Sequence, residues 1–284
     1  MLRKQAKVLV PFIIVFAAIV LGLSLFHNPS ANTYQTKDDI LSQSDSLQAD
    51  EENSTSIDKI INTKGIPILY YHSVRPTEDN ELIISPEKLK EQLEFLKSEG
   101  YQSLSLKEFS EYILNNAPVP EKSVLITFDD GYMDNYANAF PVLKELNMKA
   151  VIFCITFKLD GSYYLSNDAI KEMTDYGIDI QSHTVNHDDL SSLNYQDTLT
   201  TLKNSKENLE SITNSKIYAI AYPYGKFNDN TFDAAKNAGY TLGFITNTGL
   251  AKPSDDPLKL KRIYISSEYN LDTFKKLFYD TINS

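Results

Sequence analysis

The 284-residue chain has no Trp, one Cys and four His. A lone Cys closes no intramolecular disulfide and excludes cysteine zinc sites and disulfide scaffolds. Cys154 follows the apolar run Val151-Ile152-Phe153 and reads as a buried small hydrophobe. With so few imidazoles, the position of each His is informative. Basic residues are also short: 27 Lys+Arg stand against 38 Asp+Glu, a formal net charge of -11. That balance disfavours a nucleic-acid partner, whose phosphates need a basic face. Gly-x-Gly-x-x-Gly and phosphate-loop patterns are absent too, so the nucleotide-binding signature is missing.

What is present first is a run of 19 residues without a charge, Val8 to Phe26. At about 1.5 Å rise per residue it crosses most of a roughly 30 Å hydrocarbon core. Arg3, Lys4 and Lys7 precede it and the next basic residue is Lys37, which sets the N-terminus in the cytoplasm and the rest outside. Residues 1–27 are therefore expected to be a single-pass membrane anchor. A cleaved signal peptide, giving a secreted protein, is the alternative. Residues 28–64 are rich in Ser, Thr, Asn, Asp and Gln and poor in large apolar side chains, so a disordered polar linker is expected there.

From Gly65 onward, short apolar runs alternate with amphipathic stretches. The pattern predicts strands at Ile66 to Tyr71, Ser123 to Phe128, Lys149 to Ile155, Ile178 to Ser182, Ile217 to Ala221, Tyr240 to Ile245 and Arg262 to Ile265. It predicts helices at Pro86 to Glu99, Leu106 to Asn115, Asp134 to Leu146, Asn167 to Tyr176, Tyr195 to Ile212, Asp229 to Ala238 and Leu271 to Ile282, the first capped by Ser85. Repeated alternation of this kind is α/β and implies a mostly parallel sheet, closed or nearly closed into a barrel. Active residues are then expected where strands end.

Three strand ends carry chemistry. Val124-Leu125-Ile126-Thr127-Phe128 runs into Asp129, Asp130 and Gly131. Adjacent strand residues point to opposite sides, so one acid can ligate a cation while its neighbour acts as a base. Ile178 to Ser182 leads into His183 and His187, whose i, i+4 spacing lets two imidazoles converge on one metal. With one Asp they leave positions open for water and substrate. Ala219-Ile220-Ala221 leads into Tyr222-Pro223-Tyr224-Gly225, a turn that can aim the Tyr224 N–H as an oxyanion donor.

Thr127-Phe128-Asp129-Asp130-Gly131, His183-Thr184-x-x-His187 and Tyr222-Pro223-Tyr224-Gly225, in that order, resemble the NodB-homology polysaccharide deacetylases, carbohydrate esterase family 4. The similarity covers about 122–284, and residues 65–284 are taken as the catalytic domain. The resemblance implies a distorted (β/α) barrel of NodB-homology type and metal-dependent removal of acetyl from an N-acetylated sugar polymer. It makes Asp129 the general base. Asp130, His183 and His187 would hold one divalent ion, zinc in most of the family, with cobalt or nickel able to serve.

The departures are informative. The family's third-motif Arg is replaced by Ala221, a chain without Trp cannot complete the fourth motif, and no His follows His187 to supply the usual acid. A subset resembling extracellular poly-N-acetylglucosamine deacetylases has Ala-Tyr-Pro-Tyr-Gly in the third motif and an acid His in a Tyr-His-x-Val context. Here Tyr71-His72-Ser73-Val74 fits that context, which makes His72 the expected acid. Arg262 either takes over the missing Arg's task of orienting Asp129 or is a surface charge after a Lys-rich loop. His27 is expected at the membrane edge and is not assigned.

Tyr70, Tyr71, Tyr132, Tyr136, Tyr163, Tyr164, Tyr222 and Tyr224 are candidates for sugar-stacking surface. The expected substrate is poly-β-1,6-N-acetylglucosamine, with peptidoglycan N-acetylglucosamine as the alternative. A glycan-binding protein that kept the metal site without turnover, and a small-molecule amidohydrolase, are the other readings. The expected partners are an N-acetylated surface glycan and the cytoplasmic membrane, with no nucleic acid, for a monomeric chain.

Overall fold

The computed structural model describes residues 59, 60 and 62–284. The expected anchor at 1–27, and all but the end of the expected linker, lie outside the described residues. Among the described residues no helix is long and apolar enough to cross a membrane. Order begins ahead of Gly65. Strand β1, Lys59–Ile60, pairs antiparallel with Val119–Pro120. Asn62 is buried, its side-chain amide donating to the Glu121 carbonyl and its own carbonyl accepting from the Tyr112 hydroxyl. These bonds join residues that composition alone assigns to the linker to the folded body.

One curled sheet forms the centre. Its parallel strands are Ile66–Tyr71 (β2), Ser123–Phe128 (β7), Val151–Cys154 (β8), Asp179–Ser182 (β9), Ala219–Ala221 (β10) and Leu242–Phe244 (β11), in the spatial order β11-β10-β9-β8-β7-β2. Beyond β2, Ile263–Tyr264 (β13) pairs parallel and Leu250–Ala251 (β12) antiparallel. A single bridge between Phe244 and Leu260 links β11 to the segment entering β13. The shorter pieces are Ser73–Val74 (β3), which pairs with Ile83–Ile84 (β4), Gln102–Ser103 (β5), which pairs with β7, and Val119–Pro120 (β6), the partner of β1.

Every residue of β2 and β7 is buried, as expected of strands covered on both faces. Alternation along the strands divides their side chains. Leu69, Tyr71, Val124, Ile126, Phe128 and Ile152 pack with the helices Pro86–Ser98 (α1), Phe140–Leu146 (α3), Asn167–Tyr176 (α4), Tyr195–Thr213 (α5), Asp229–Asn237 (α6) and Leu271–Ile282 (α7). Ile66, Ile68, Leu125, Val151, Phe153 and Phe244 pack in a second cluster with Phe109 and Tyr112 of Leu106–Asn115 (α2). Ser85 caps α1 by accepting from the Lys88 N–H, and Ser105 with Glu108 forms a capping box on α2. Because the strands run parallel, their C-terminal ends share one rim, and His72, Asp129, Asp130, His183 and Tyr222 all follow strands there.

One expected element differs. The stretch Asp134 to Leu146 does not form a uniform α-helix: Asn135–Ala139 is a π-helical turn and α3 begins at Phe140. Pro141 supplies no N–H to the turn before it, which accounts for the altered bonding.

Candidate active site

The six residues singled out from the motifs line one cleft of about 360 Å³. Asp129, Asp130, His183, His187, His72 and Tyr224 share it with Tyr70, Glu81, Leu82, Tyr222, Thr246 and Tyr264. Volume alone would point elsewhere, to a cleft of about 510 Å³ lined by Lys97, Tyr101, Glu108 and Lys149. That larger cleft contains no comparable set of convergent ligands.

Backbone strain marks the smaller cleft. Seven non-Gly residues among those described have positive φ, and three of them, Asn116, Asn147 and Asn214, are helix C-caps of an Asn-tolerant kind. The other four are Asp130 (φ 73), Thr184 (65), His187 (63) and Tyr224 (60), every one in a cleft motif. A left-handed Thr or His is unfavourable on its own and persists only where its surroundings fix it. Gly131 carries φ 74, and a Cβ there would lie 2.8 Å from Cys154 Sγ. Cys154 is thus the buried small side chain that lets the aspartate turn sit against β8.

Asp130, His183 and His187 each offer a ligand atom, and the three atoms lie within 4.8 Å of one another. Asp130 Oδ1 is 3.5 Å from His183 Nε2 and 3.3 Å from His187 Nε2, and it is a buried oxygen without a hydrogen-bond partner. An orphaned carboxylate oxygen facing two imidazole nitrogens is what a cation would satisfy. His183 Nδ1 lies 2.7 Å from the Ala221 carbonyl. A carbonyl only accepts, so Nδ1 carries the proton and Nε2 keeps its lone pair for a ligand. Burial first, then the neighbouring His183, lowers the His187 pKa to about 4, which leaves it neutral, the form a metal needs. The two-imidazole, one-carboxylate donor set suits a divalent ion such as zinc and leaves positions open.

Asp129 is 3% exposed and Arg262 is 0% exposed, so the surface reading of Arg262 is excluded. The guanidinium donates from Nη1 to Asp129 Oδ1 and from Nη2 to Oδ2, both at 2.7 Å. Nε donates to the Ile245 carbonyl at 3.2 Å, and the guanidinium lies 4.2 Å from the Tyr70 ring centre. Burial alone would raise the Asp129 pKa, but Arg262 and then His183 outweigh it and hold it at about 2. Arg262 therefore fixes both the orientation and the charge of Asp129 from the residue just before β13.

His72 follows β2, and burial lowers its pKa although Asp129 and Asp130 pull it back. Its Nδ1 is buried without a partner, while its backbone carbonyl accepts from Asn135 Nδ2 at 2.7 Å. Tyr224 is 61% exposed and stands edge-on to His187 with ring centres 4.3 Å apart. The expected stacking surface is smaller than the motif neighbourhoods suggest. Tyr71 and Tyr222 are 1% exposed and belong to the core, and Tyr136 stacks on Phe140 and bonds to Glu172. Glu81, Leu82, Thr246 and Tyr264 lie in no sequence motif and enter the cleft from loops and β13.

The chain is similar to known proteins. The family model for polysaccharide deacetylase matches residues 116–243. YxkH of Bacillus subtilis, named as a polysaccharide deacetylase, is 35% identical over 220 residues, 78% of each chain. A poly-β-1,6-N-acetyl-D-glucosamine N-deacetylase of Staphylococcus epidermidis is 30% identical over 250 residues, 78% of this chain and 85% of that one. Among solved structures, the Streptococcus pyogenes deacetylase PplD in complex with acetate superposes with a TM-score of 0.71 at 34% identity, covering 79% of this chain and 99% of that one. IcaB from Ammonifex degensii gives 0.68 at 26% identity, covering 78% and 97%. The chain belongs to the polysaccharide deacetylase family of NodB-homology hydrolases, and by that membership it is an enzyme that deacetylates a polysaccharide.

Proposed function

We propose that the enzyme removes N-acetyl groups from an extracellular polymer of N-acetylglucosamine, poly-β-1,6-N-acetylglucosamine first. The observation that carries this reading is the cleft in which the Arg262-bound Asp129 stands beside the Asp130, His183 and His187 donor set. The poly-β-1,6 linkage is supported by the Staphylococcus epidermidis relative, whose name states that activity.

Asp130, His183 and His187 would hold a divalent ion, zinc first, or cobalt or nickel in its place, which would supply Lewis acidity toward water and the acetamide carbonyl. Asp129 takes the proton of the attacking water on a carboxylate that Arg262 keeps ionised and aimed. The Tyr224 N–H donates to the oxygen on which negative charge develops. His72 in its protonated form gives the amine nitrogen the proton it needs to leave, and because burial lowers its pKa that proton is taken up from solvent before the step.

The test is release of free amine from β-1,6- and β-1,4-linked N-acetylglucosamine oligomers, with zinc and with chelator. Release from the β-1,6 series that chelator abolishes is expected. Preference for the β-1,4 series would select the peptidoglycan alternative. Asp129→Asn should abolish turnover with metal still bound, and His183→Ala should lose both. Full activity in Asp129→Asn would sink the assignment.

The charge-free run Val8 to Phe26 behind Arg3, Lys4 and Lys7 supports a membrane-anchored placement with the catalytic part outside. Fractionation should find the protein in the membrane pellet and open to added protease. Recovery from culture medium would select the cleaved-signal alternative, and a protease-protected soluble protein would refute both.

A further inference from the structure

Seven large apolar side chains are exposed among the described residues, and four of them, Leu82, Phe157, Tyr163 and Tyr224, sit on segments bordering the cleft. Phe157 is 78% exposed, and its N–H bonds to the Val185 carbonyl in the His183 to His187 segment. Tyr163 is 52% exposed and heads a cluster of three tyrosines. Tyr132, two residues after Asp130, stacks on Tyr164 with ring centres 5.2 Å apart, and Tyr163 stands edge-on to both at 5.3 and 5.2 Å. The cluster is fixed to the aspartate turn: Met133 N–H donates to Tyr163 O and Leu165 N–H to Gly131 O, both at 2.9 Å. Lys158 Nζ donates to the Tyr164 hydroxyl at 3.0 Å. None of these side chains is used in the proposed chemistry.

Rigid rings that remain exposed beside a catalytic cleft suit a ligand with apolar faces and hydroxyl edges, which is the shape of a pyranose. A lipid surface fits less well. The loop tip is Asp160-Gly161-Ser162, its one cation Lys158 is engaged with Tyr164, and the chain carries -11 net charge. We infer that Tyr163, backed by Tyr132 and Tyr164 and with Phe157 on the same loop, holds sugar rings next to the reacting residue, so that the enzyme reads a stretch of neutral N-acetylhexosamine polymer. This rests on the polysaccharide reading of the cleft.

The experiment compares full-length wild type, Tyr163→Ala, Tyr163→Phe and Phe157→Ser. Affinity for N-acetylglucosamine oligomers from dimer to hexamer is measured by calorimetry and amine release by kinetics, with para-nitrophenyl acetate as a substrate too small to reach the platform. Wild-type affinity should rise with oligomer length. Tyr163→Ala should weaken hexamer binding roughly tenfold, the size of one aromatic contact, through KM with kcat kept. Its ester hydrolysis should hold, and Tyr163→Phe should bind like wild type. Hexamer affinity unchanged in Tyr163→Ala, or an equal loss on ester and hexamer, would overturn the inference. So would variants that lose binding to phosphatidylglycerol vesicles while keeping oligomer affinity, because the surface would then belong to a bilayer. If wild type releases no amine, the reading of the cleft fails, and the affinity arm still decides this inference.

Discussion

Arg262 is fully buried, and its charge is tolerated because Asp129, Thr127 and the Ile245 carbonyl take its N–H groups. Removing one member of such a buried pair strands the other, at a cost of about 3–5 kcal/mol. Arg262→Gln should therefore lower the melting temperature and kcat/KM together. It should also move the acid limb of the pH–rate profile upward, because the burial that raises the Asp129 pKa would lose its main opponent. Arg262→Lys keeps the charge without the two-pronged fork, so it should restore the limb more than the rate. A profile unmoved in Arg262→Gln would show that Asp129 does not depend on this partner. Asp129, Asp130, His183 and His187 were legible in the sequence because each follows an apolar strand with distinctive neighbours. The Arg262 contact was open between two readings, since it joins residues 133 positions apart and nothing in Lys261-Arg262-Ile263 signals burial.

Within the element joining β7 to α3, the turn at Asp130 and Gly131 rests on Cys154 of β8. Gly131→Ala places a Cβ at positive φ and against that sulfur, which should destabilise by about 2–4 kcal/mol from backbone strain and overpacking combined. Adding Cys154→Ala removes the sulfur and not the strain, so denaturant unfolding of the double mutant should recover part of the loss; simple additivity would show the contact is immaterial. A second element carries an acid-sensitive cap. Burial pushes the Glu108 pKa up, but bonds from Lys149 and Ser105 outweigh it and bring it from 4.5 to about 2. A lowered carboxylate contributes stability above about pH 4.5 and loses it as pH falls toward 2. Glu108→Gln should accordingly lower the melting temperature near neutrality and flatten its fall across that window, so that variant and wild type converge toward pH 2. The long buried runs of β2 and β7 were readable to the residue because each is a mostly apolar run of strand length bounded by charged or turn-forming residues. The two-residue strands β3, β4, β5, β6 and β12 were not, since so short a segment has no period and is set by its partner.

At the scale of the whole chain, 11 excess negative charges give a field that draws cations inward and does not repel an ammonium product. Within the cleft, Asp130 is 6% exposed, with Oδ1 orphaned beside two imidazoles. A folded chain that binds a cation there, and an unfolded chain that does not, are separated further by the binding free energy. At a thousandfold excess of free ion over Kd that term is about 4 kcal/mol. For a domain of this size each kcal/mol moves the melting temperature by about 2–4 °C. Chelation should therefore lower it by roughly 10 °C in a calorimetric scan, and added zinc should restore it. Asp129→Asn should melt at its own temperature yet keep the chelator-dependent difference, because its carboxylate is committed to Arg262. His183→Ala should lose the difference, because it removes a donor atom that the Ala221 carbonyl holds in place. A melting temperature indifferent to chelator in the wild-type protein would mean that the donor set, however well arranged, does not hold an ion in the folded chain.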